Sequence, residues 1–256
     1  MRQVHDAESV SGKSRRIRYR EIAADLAERV GSGEFSPGQV LPSESELSTA
    51  YSASRVTVRR ALEVLRDDGL VNSRQGFGWF VAADPLRQTL GRLGTIESQL
   101  EATGNSSERR ILDFRFVPTP PAVAAELDAD TVLEVRRLNL ADGRPFARVT
   151  VWCPEGLGAN LSRSDVEQSP FYELVPVDLG GARQTIGAAA VEADDAELLG
   201  VPAGSPVLRC TRVTSDRDGV PVLVSEHIYP AHLTEFVVEI PRVESSLGAS
   251  GLRLVE

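Results

Sequence analysis

The run Ser54-Arg55-Val56-Thr57-Val58-Arg59-Arg60 combines two hydroxyls with three arginines. Serine is a helix-capping residue, so the run reads as a helix start, where free backbone amides add to the side-chain donors. Ser54 and Thr57 can donate to phosphate oxygens. Arg55 and Arg59 stand four residues apart and project from one helix face. An arginine fork fits O6 and N7 of guanine, a match worth about 1–3 kcal/mol of discrimination. Arg60 lies about 100° further round the helix and suits the nucleic-acid backbone instead. A plainer reading stands beside this one. Arginines on a helix commonly form a solvated face, and Arg59, Glu63, Arg66 and Asp67 can pair among themselves.

The flanking residues decide between the two. Ser43 and Glu46 form a capping box, which predicts a short helix from about Ser43 to Tyr51. Ser52-Ala53 turns the chain, and Ser54 opens a helix running to about Asp68. Its inward face is Val58, Leu62 and Leu65 with Ala61 beside them, and Gly69 stops it. Upstream, Ile22, Leu26 and Val30 stripe a helix from about Arg18 that ends at Gly31-Ser32-Gly33. After Gly69 the period becomes two. Leu70-Val71 and Trp79-Phe80-Val81 flank a glycine-tipped hairpin. At its tip Gln75-Gly76 permits close approach to a minor groove, and Arg74 adds a phosphate contact. Three helices and a hairpin within residues 18–83 are the outline of a winged helix-turn-helix.

The remaining chain reads differently. ILDFRFVP alternates, and residues 131–154 make two strands joined at Asp142-Gly143. Ser205 to Tyr229 repeats that plan around Asp218-Gly219, with short helices expected near Ser164–Leu174 and Ala193–Leu199, and a partly helical stretch over 89–104. The pattern predicts an α+β domain with an antiparallel sheet. Polar residues 1–17 read as a flexible arm, 84–92 as a linker after Asp84-Pro85, 93–241 as the second domain and 242–256 as a flexible tail.

Net charge is −9, yet residues 1–88 hold 13 Lys+Arg against 12 Asp+Glu, while 89–256 hold 15 against 25. The acidity belongs to the second domain, so any grip on a polyanion must come from a local arginine cluster. No apolar run is long enough for a membrane span, and the start has no signal-peptide core. Cys153 and Cys210 are too few for a disulfide framework and sit in strand-like surroundings as core residues; three histidines show no metal-ligand spacing. The expectation is a reduced, cytoplasmic protein without metal or cofactor. No nucleophile motif, glycine-rich phosphate loop or paired-carboxylate motif stands out, which speaks against an enzyme.

The stretch from Leu41 to Val81 resembles the DNA-binding domain of the GntR family. Leu41-Pro42-Ser43-Glu44, Ser54-Arg55, Thr57-Val58-Arg59, Ala61-Leu62, Gly69-Leu70 and Gly76-x-Gly78 carry the likeness. It implies a DNA-contacting set of Ser43, Ser54, Arg55, Thr57, Arg59, Arg60, Arg74, Gln75 and Gly76. Ser45 stands where the family usually has an arginine that contacts DNA, so one contact is lost or moved. The second domain resembles the UTRA effector-binding domain of the HutC subgroup, through Arg137-Leu138-x-Leu140-Ala141-Asp142-Gly143-x-Pro145, Leu198-Leu199-Gly200-Val201-Pro202 and Gly219-x-Pro221. That likeness implies a chorismate-lyase-like fold with a ligand pocket.

It also implies a set of effector residues. Arg137 matches the first arginine of an anion-holding Arg-Leu-Arg strand, and Asn139 stands at the second. Thr95 falls where a hydroxyl caps the anion. Val149 and Leu223 replace glutamates that meet sugar hydroxyls. Ser169 and Tyr172 lie in a Ser-Pro-Phe-Tyr variant of a ligand loop. Tyr229 is either a ligand contact or a core aromatic, and Arg137 either holds an anion or pairs with an acidic neighbour such as Glu134. The implied partners are a pseudo-palindromic double-stranded operator, a small anionic effector less polar than an amino-sugar phosphate, and a second copy of the chain. Repression is the commoner family role. The alternatives are a constitutive regulator with a degenerate pocket and a chorismate-lyase-like enzyme.

Overall fold

A computed structural model of the chain describes residues 8–90, 106–238 and 240, with side chains from Arg18 onward. Thr95, the expected helix over 89–104 and the expected tail lie outside the described residues.

The N-terminal head is built from α1 (Glu8–Gly31), α2 (Glu44–Ala50), α3 (Arg55–Asp67) and an antiparallel hairpin of β1 (Val71–Arg74) and β2 (Gly78–Val81). Both short helices start where their caps predict. Ser43 and Glu46 exchange hydrogen bonds with each other's backbone amides, and the Ser54 hydroxyl accepts from the Thr57 amide at 3.2 Å. Ile22, Leu26, Leu47, Val58, Leu62, Leu65 and Val71 form a core of the head's own. One boundary differs from the sequence expectation. α1 begins at Glu8, ten residues before Arg18, so residues 8–17 are helical rather than a loose arm. That stretch has no apolar stripe to signal a helix, but it contains no proline and simply extends the turn that Ile22 and Leu26 anchor.

The second domain is one six-stranded antiparallel sheet. Its strands are β4 (Ser107–Pro118), β5 (Thr131–Ala141), β6 (Arg144–Pro154), β7 (Leu179–Ala190), β8 (Pro206–Asp216) and β9 (Pro221–Pro230), in the spatial order β4-β5-β6-β9-β8-β7. The β5–β6 turn uses Asp142 at φ 49° and Gly143 at φ 75°, the left-handed pair that a two-residue hairpin demands. Short helices α4 (Pro121–Ala124), α5 (Glu155–Gly158), α6 (Arg163–Gln168), α7 (Phe171–Leu174) and α8 (Ala193–Leu199) cover the sheet.

Strand alternation sorts the side chains onto two faces. Val135, Val149, Val151, Cys153, Cys210, Leu223 and Tyr229 belong to one core, packed by Phe171 of α7. Leu138, Leu140, Val207 and Ile228 belong to another, with Ala196 and Leu199 of α8. Between α8 and the sheet lies a charged network. Arg148 donates to Asp195 at 2.7 Å, to Glu226 at 3.1 Å and to the Thr150 hydroxyl at 2.7 Å, with its side chain only 9% exposed.

The expected linker carries a strand. β3 (Leu86–Thr89) pairs in parallel with β10 (Thr234–Val237), so the chain leaving the head lies beside the chain leaving β9. In the turn before β10, His232 donates from Nε2 to the Gly38 carbonyl at 2.9 Å and packs on Phe77 and Phe80. The second domain therefore grips the hairpin directly. Four residues, too few for a readable period, hid β3 in the sequence.

Candidate functional site

Two sites emerge, one on the head and one on the sheet. On the head, a groove runs between the helices and the wing, lined by Ser43, Glu44 and Ser45, by Arg55 and Arg59 of α3, and by Arg74, Gln75 and Gly76 of the hairpin. These residues are far apart in sequence, and the fold gathers them on one side. Gly76 at φ 77° shapes the hairpin tip, a conformation that L side chains rarely adopt. Arg59 makes a two-point contact with Glu44, at 2.9 and 2.7 Å, while staying 62% exposed. Trp79 donates to the same carboxylate at 3.2 Å. The Arg59 guanidinium, then Trp79, outweigh burial and hold Glu44 below the usual carboxylate range. Glu44 thus orients the Arg59 fork before any polyanion arrives.

Arg55 donates to the Ser45 hydroxyl at 2.9 Å. The serine that stands in place of the family arginine is therefore a prop for Arg55. Ser54 and Thr57 bond each other at 2.8 Å as part of the cap. Arg60 lies outside the groove, 65% exposed, 3.6 Å from Glu63 and over the Tyr19 ring. Sequence reading passed over Val56, which is 80% exposed at the tip of α3. An apolar β-branched residue off the inward stripe is the signal that marks it, and a thymine methyl is the partner its chemistry suits.

The second site is a pocket on the inner face of the sheet. β5 contributes Arg137 and Asn139, β8 contributes Arg212 and Thr214, and β9 contributes Leu223, Ser225, His227 and Tyr229. Val151, Pro170, Phe171 and Tyr172 close one side, and Gln88 reaches in from β3. Two of these residues are arginines and none is a carboxylate. Arg212 donates to Tyr172 at 2.6 Å and to Gln184 at 2.7 Å, so its fork is held by neutral partners. Arg137 is 5% exposed. Glu134, its candidate partner from sequence, is taken by Arg115 at 2.8 Å and by Trp152 at 3.0 Å.

His227 bridges Ser225 and Tyr229 at 3.0 and 3.1 Å. Burial above all, then the charges of Arg212, Arg137 and Arg148, holds it well below the ordinary histidine range, so it stays neutral. Among the described lining residues, the charge thus comes from the arginines.

The expected effector residues divide. Arg137, Asn139, Tyr172, Leu223 and Tyr229 line the pocket. Val149 does not; it is fully buried in the core beneath, opposite Arg137, and Val151 supplies the apolar wall instead. Ser169 ends α6 and leaves the lining to Pro170 and Phe171. Tyr229 is 4% exposed in the core and also lines the cavity. Arg212, Gln88 and His227 were not foreseen. Burial pushes both thiols up to about 12, so neither Cys153 nor Cys210 is a nucleophile at neutral pH.

Comparison with known proteins agrees with this division. Residues 18–81 match the profile described as bacterial regulatory proteins, gntR family, and residues 102–234 match the UTRA domain. The chain is 27% identical over 233 residues to the HTH-type transcriptional repressor NagR of Bacillus subtilis, covering 88% of this chain and 95% of that one. It is 31% identical over 244 residues to the HTH-type transcriptional regulator Rv0792c of Mycobacterium tuberculosis, covering 92% and 89%. The crystal structure of PhnF from Mycobacterium smegmatis is similar with a TM-score of 0.58 at 27% identity, covering 86% of this chain and 98% of that one.

Proposed function

Because the chain belongs to the gntR family of bacterial regulatory proteins and carries a UTRA domain, we propose that it is a repressor released from its operator by a small anion held at Arg137 and Arg212. As a member of that family it is a ligand-responsive, DNA-binding transcription regulator. One observation carries the finer reading. Among the described residues, the pocket lining presents two guanidiniums and no carboxylate, beside an apolar wall of Val151, Phe171 and Leu223. Guanidinium forks select carboxylate or phosphate, and the wall favours an effector with an apolar portion. Repression is supported by the name of the NagR relative.

On DNA, α3 enters the major groove with Arg55, Val56 and Arg59 toward base edges, while Ser43, Ser54, Thr57 and Arg60 meet phosphates. Gln75 and Gly76 follow the minor groove, and Arg74 meets a phosphate. Two copies, joined through their effector domains in the cytoplasm, span the half-sites of a pseudo-palindromic operator. Anion binding favours one placement of the heads over another; a coupling of about 1–3 kcal/mol changes operator affinity roughly 5–150-fold. The relatives are transcription regulators, and the buried, protonated thiols give no support to catalysis.

The test is fluorescence anisotropy on the DNA upstream of the protein's own gene, across a salt series and with a panel of carboxylates and sugar phosphates. R59A should relax base preference by about 1–3 kcal/mol, and R60A should lower the salt slope by about one. R137A should remove the ligand response. An anion that still releases R137A from DNA would overturn the pocket assignment.

A further inference from the structure

Gln88 is 6% exposed, lines the pocket, and has a buried side-chain Nε2 that meets no hydrogen-bond acceptor among the described residues. A buried amide donor left unsatisfied is costly, so its retention calls for an acceptor that arrives from outside. The cavity it faces already contains two arginines suited to an anion. Its position in the chain matters as much as its chemistry. β3 begins five residues after the wing strand β2 ends, and the Leu86 amide bonds to the Leu233 carbonyl at 2.7 Å. Gln88 stands opposite Phe236 of β10, and the turn before β10 carries His232, which grips Gly38 of the head.

We infer that Gln88 is an effector contact, its Nε2 donating to an oxygen of the bound anion, and that through this contact the segment joining sensor to head registers occupancy. The inference rests on the anion-pocket reading above. It adds an acceptor requirement to the ligand class: beyond the oxygens engaged by the arginines, the effector presents one more, such as an ester, carbonyl or further phosphate oxygen, at the β3 side of the cavity.

The test uses the full chain, with inorganic phosphate and phenyl phosphate as probes; the second adds an apolar ring for the Val151–Phe171–Leu223 wall. Calorimetry gives probe affinity, operator anisotropy gives the release the probe causes, and thermal unfolding gives the ligand-free Tm. Gln88→Leu keeps the approximate shape and deletes the donor; Gln88→Glu keeps the shape and reverses it to an acceptor bearing charge. The expected result is a tenfold or greater loss of probe affinity in both variants, the larger in Gln88→Glu, with a matching loss of probe-driven release. Ligand-free Gln88→Leu should melt about 2 °C higher, because it removes an unsatisfied donor. A merely structural glutamine gives the opposite pair, a lower ligand-free Tm with unchanged affinity, and that outcome overturns the inference. Wild-type affinity in Gln88→Leu alongside lost affinity in R137A would sink the Gln88 contact while leaving the pocket reading intact. If R137A also binds the probes normally, or wild type binds neither probe, the anion-pocket reading falls and takes the inference with it.

Discussion

Replacing Arg148 by methionine probes the network that fastens α8 to the sheet behind the arginine-lined pocket. Arg148 is held by two carboxylates, Asp195 and Glu226, that are themselves only 14% and 15% exposed. Removing one partner from a buried ion pair costs about 3–5 kcal/mol, because the remaining charge is stranded. Here each carboxylate keeps a second arginine, Arg136 at 3.3 Å for Asp195, and Arg209 for Glu226. Those two are 37% and 59% exposed, so they compensate in part, and the expected loss is about 3 kcal/mol, at the low end of that range. For a chain of this size that is roughly 6–12 °C in Tm.

Urea unfolding followed by tryptophan fluorescence reads the effect by domain, since Trp152 sits on β6 and Trp79 on the wing strand β2. The Trp152 transition, isolated in a W79F background, should move, while the Trp79 transition should move much less. R209A serves as the control, because truncating a half-exposed arginine costs about 0–1 kcal/mol. A loss below about 1 kcal/mol in R148M, or an equal loss in R209A, would refute the reasoning.

Two further outcomes can be checked. Gly38 has φ +79°, and an added Cβ would lie 2.3 Å from Leu233 Cδ2 across the domain contact. G38A should destabilise by about 1–2 kcal/mol from backbone strain and weaken the ligand's effect on DNA, read by denaturation and by anisotropy. His227 and His232 are held below the ordinary histidine range by burial, the first by a wide margin. The unfolded chain then binds more protons near and below pH 6.5, so stability falls as pH drops. Between pH 7.5 and 5.5 each histidine contributes up to about 1.4 kcal/mol of that loss. H232N should flatten the measured Tm–pH curve; an unchanged curve in that variant would remove His232 from the account.

The head was legible in the sequence because its signals are local. Ser43 with Glu46 and Ser54 with Thr57 state their caps within one turn, and Val58, Leu62 and Leu65 give the inward stripe. The Asp142-Gly143 turn, with positive φ at both residues, likewise announced β5 and β6. What escaped notice depends on partners distant in the chain. β7 reads LGGARQTIGAAA and is an edge strand with little buried on either face, so no alternation marks it. Arg212 becomes a pocket residue only because β8 lies next to β9, which in turn lies next to β6. Gln88 gains its place from a parallel partner near residue 236. Val149 was placed in the pocket through the family likeness, whereas the observed lining takes its neighbour two residues on, Val151.

The pairing of β3 with β10 also has a consequence for synthesis. The head has its own core and is complete by Val81, whereas β3 must wait for Thr234–Val237 to leave the ribosome. At about 5–20 residues per second, that interval is roughly 7–30 s for each chain. During it a folded reading head exists without the sensor that governs it. Among the described strands, the last to be made is the one that ties the segment leaving the head to the second domain.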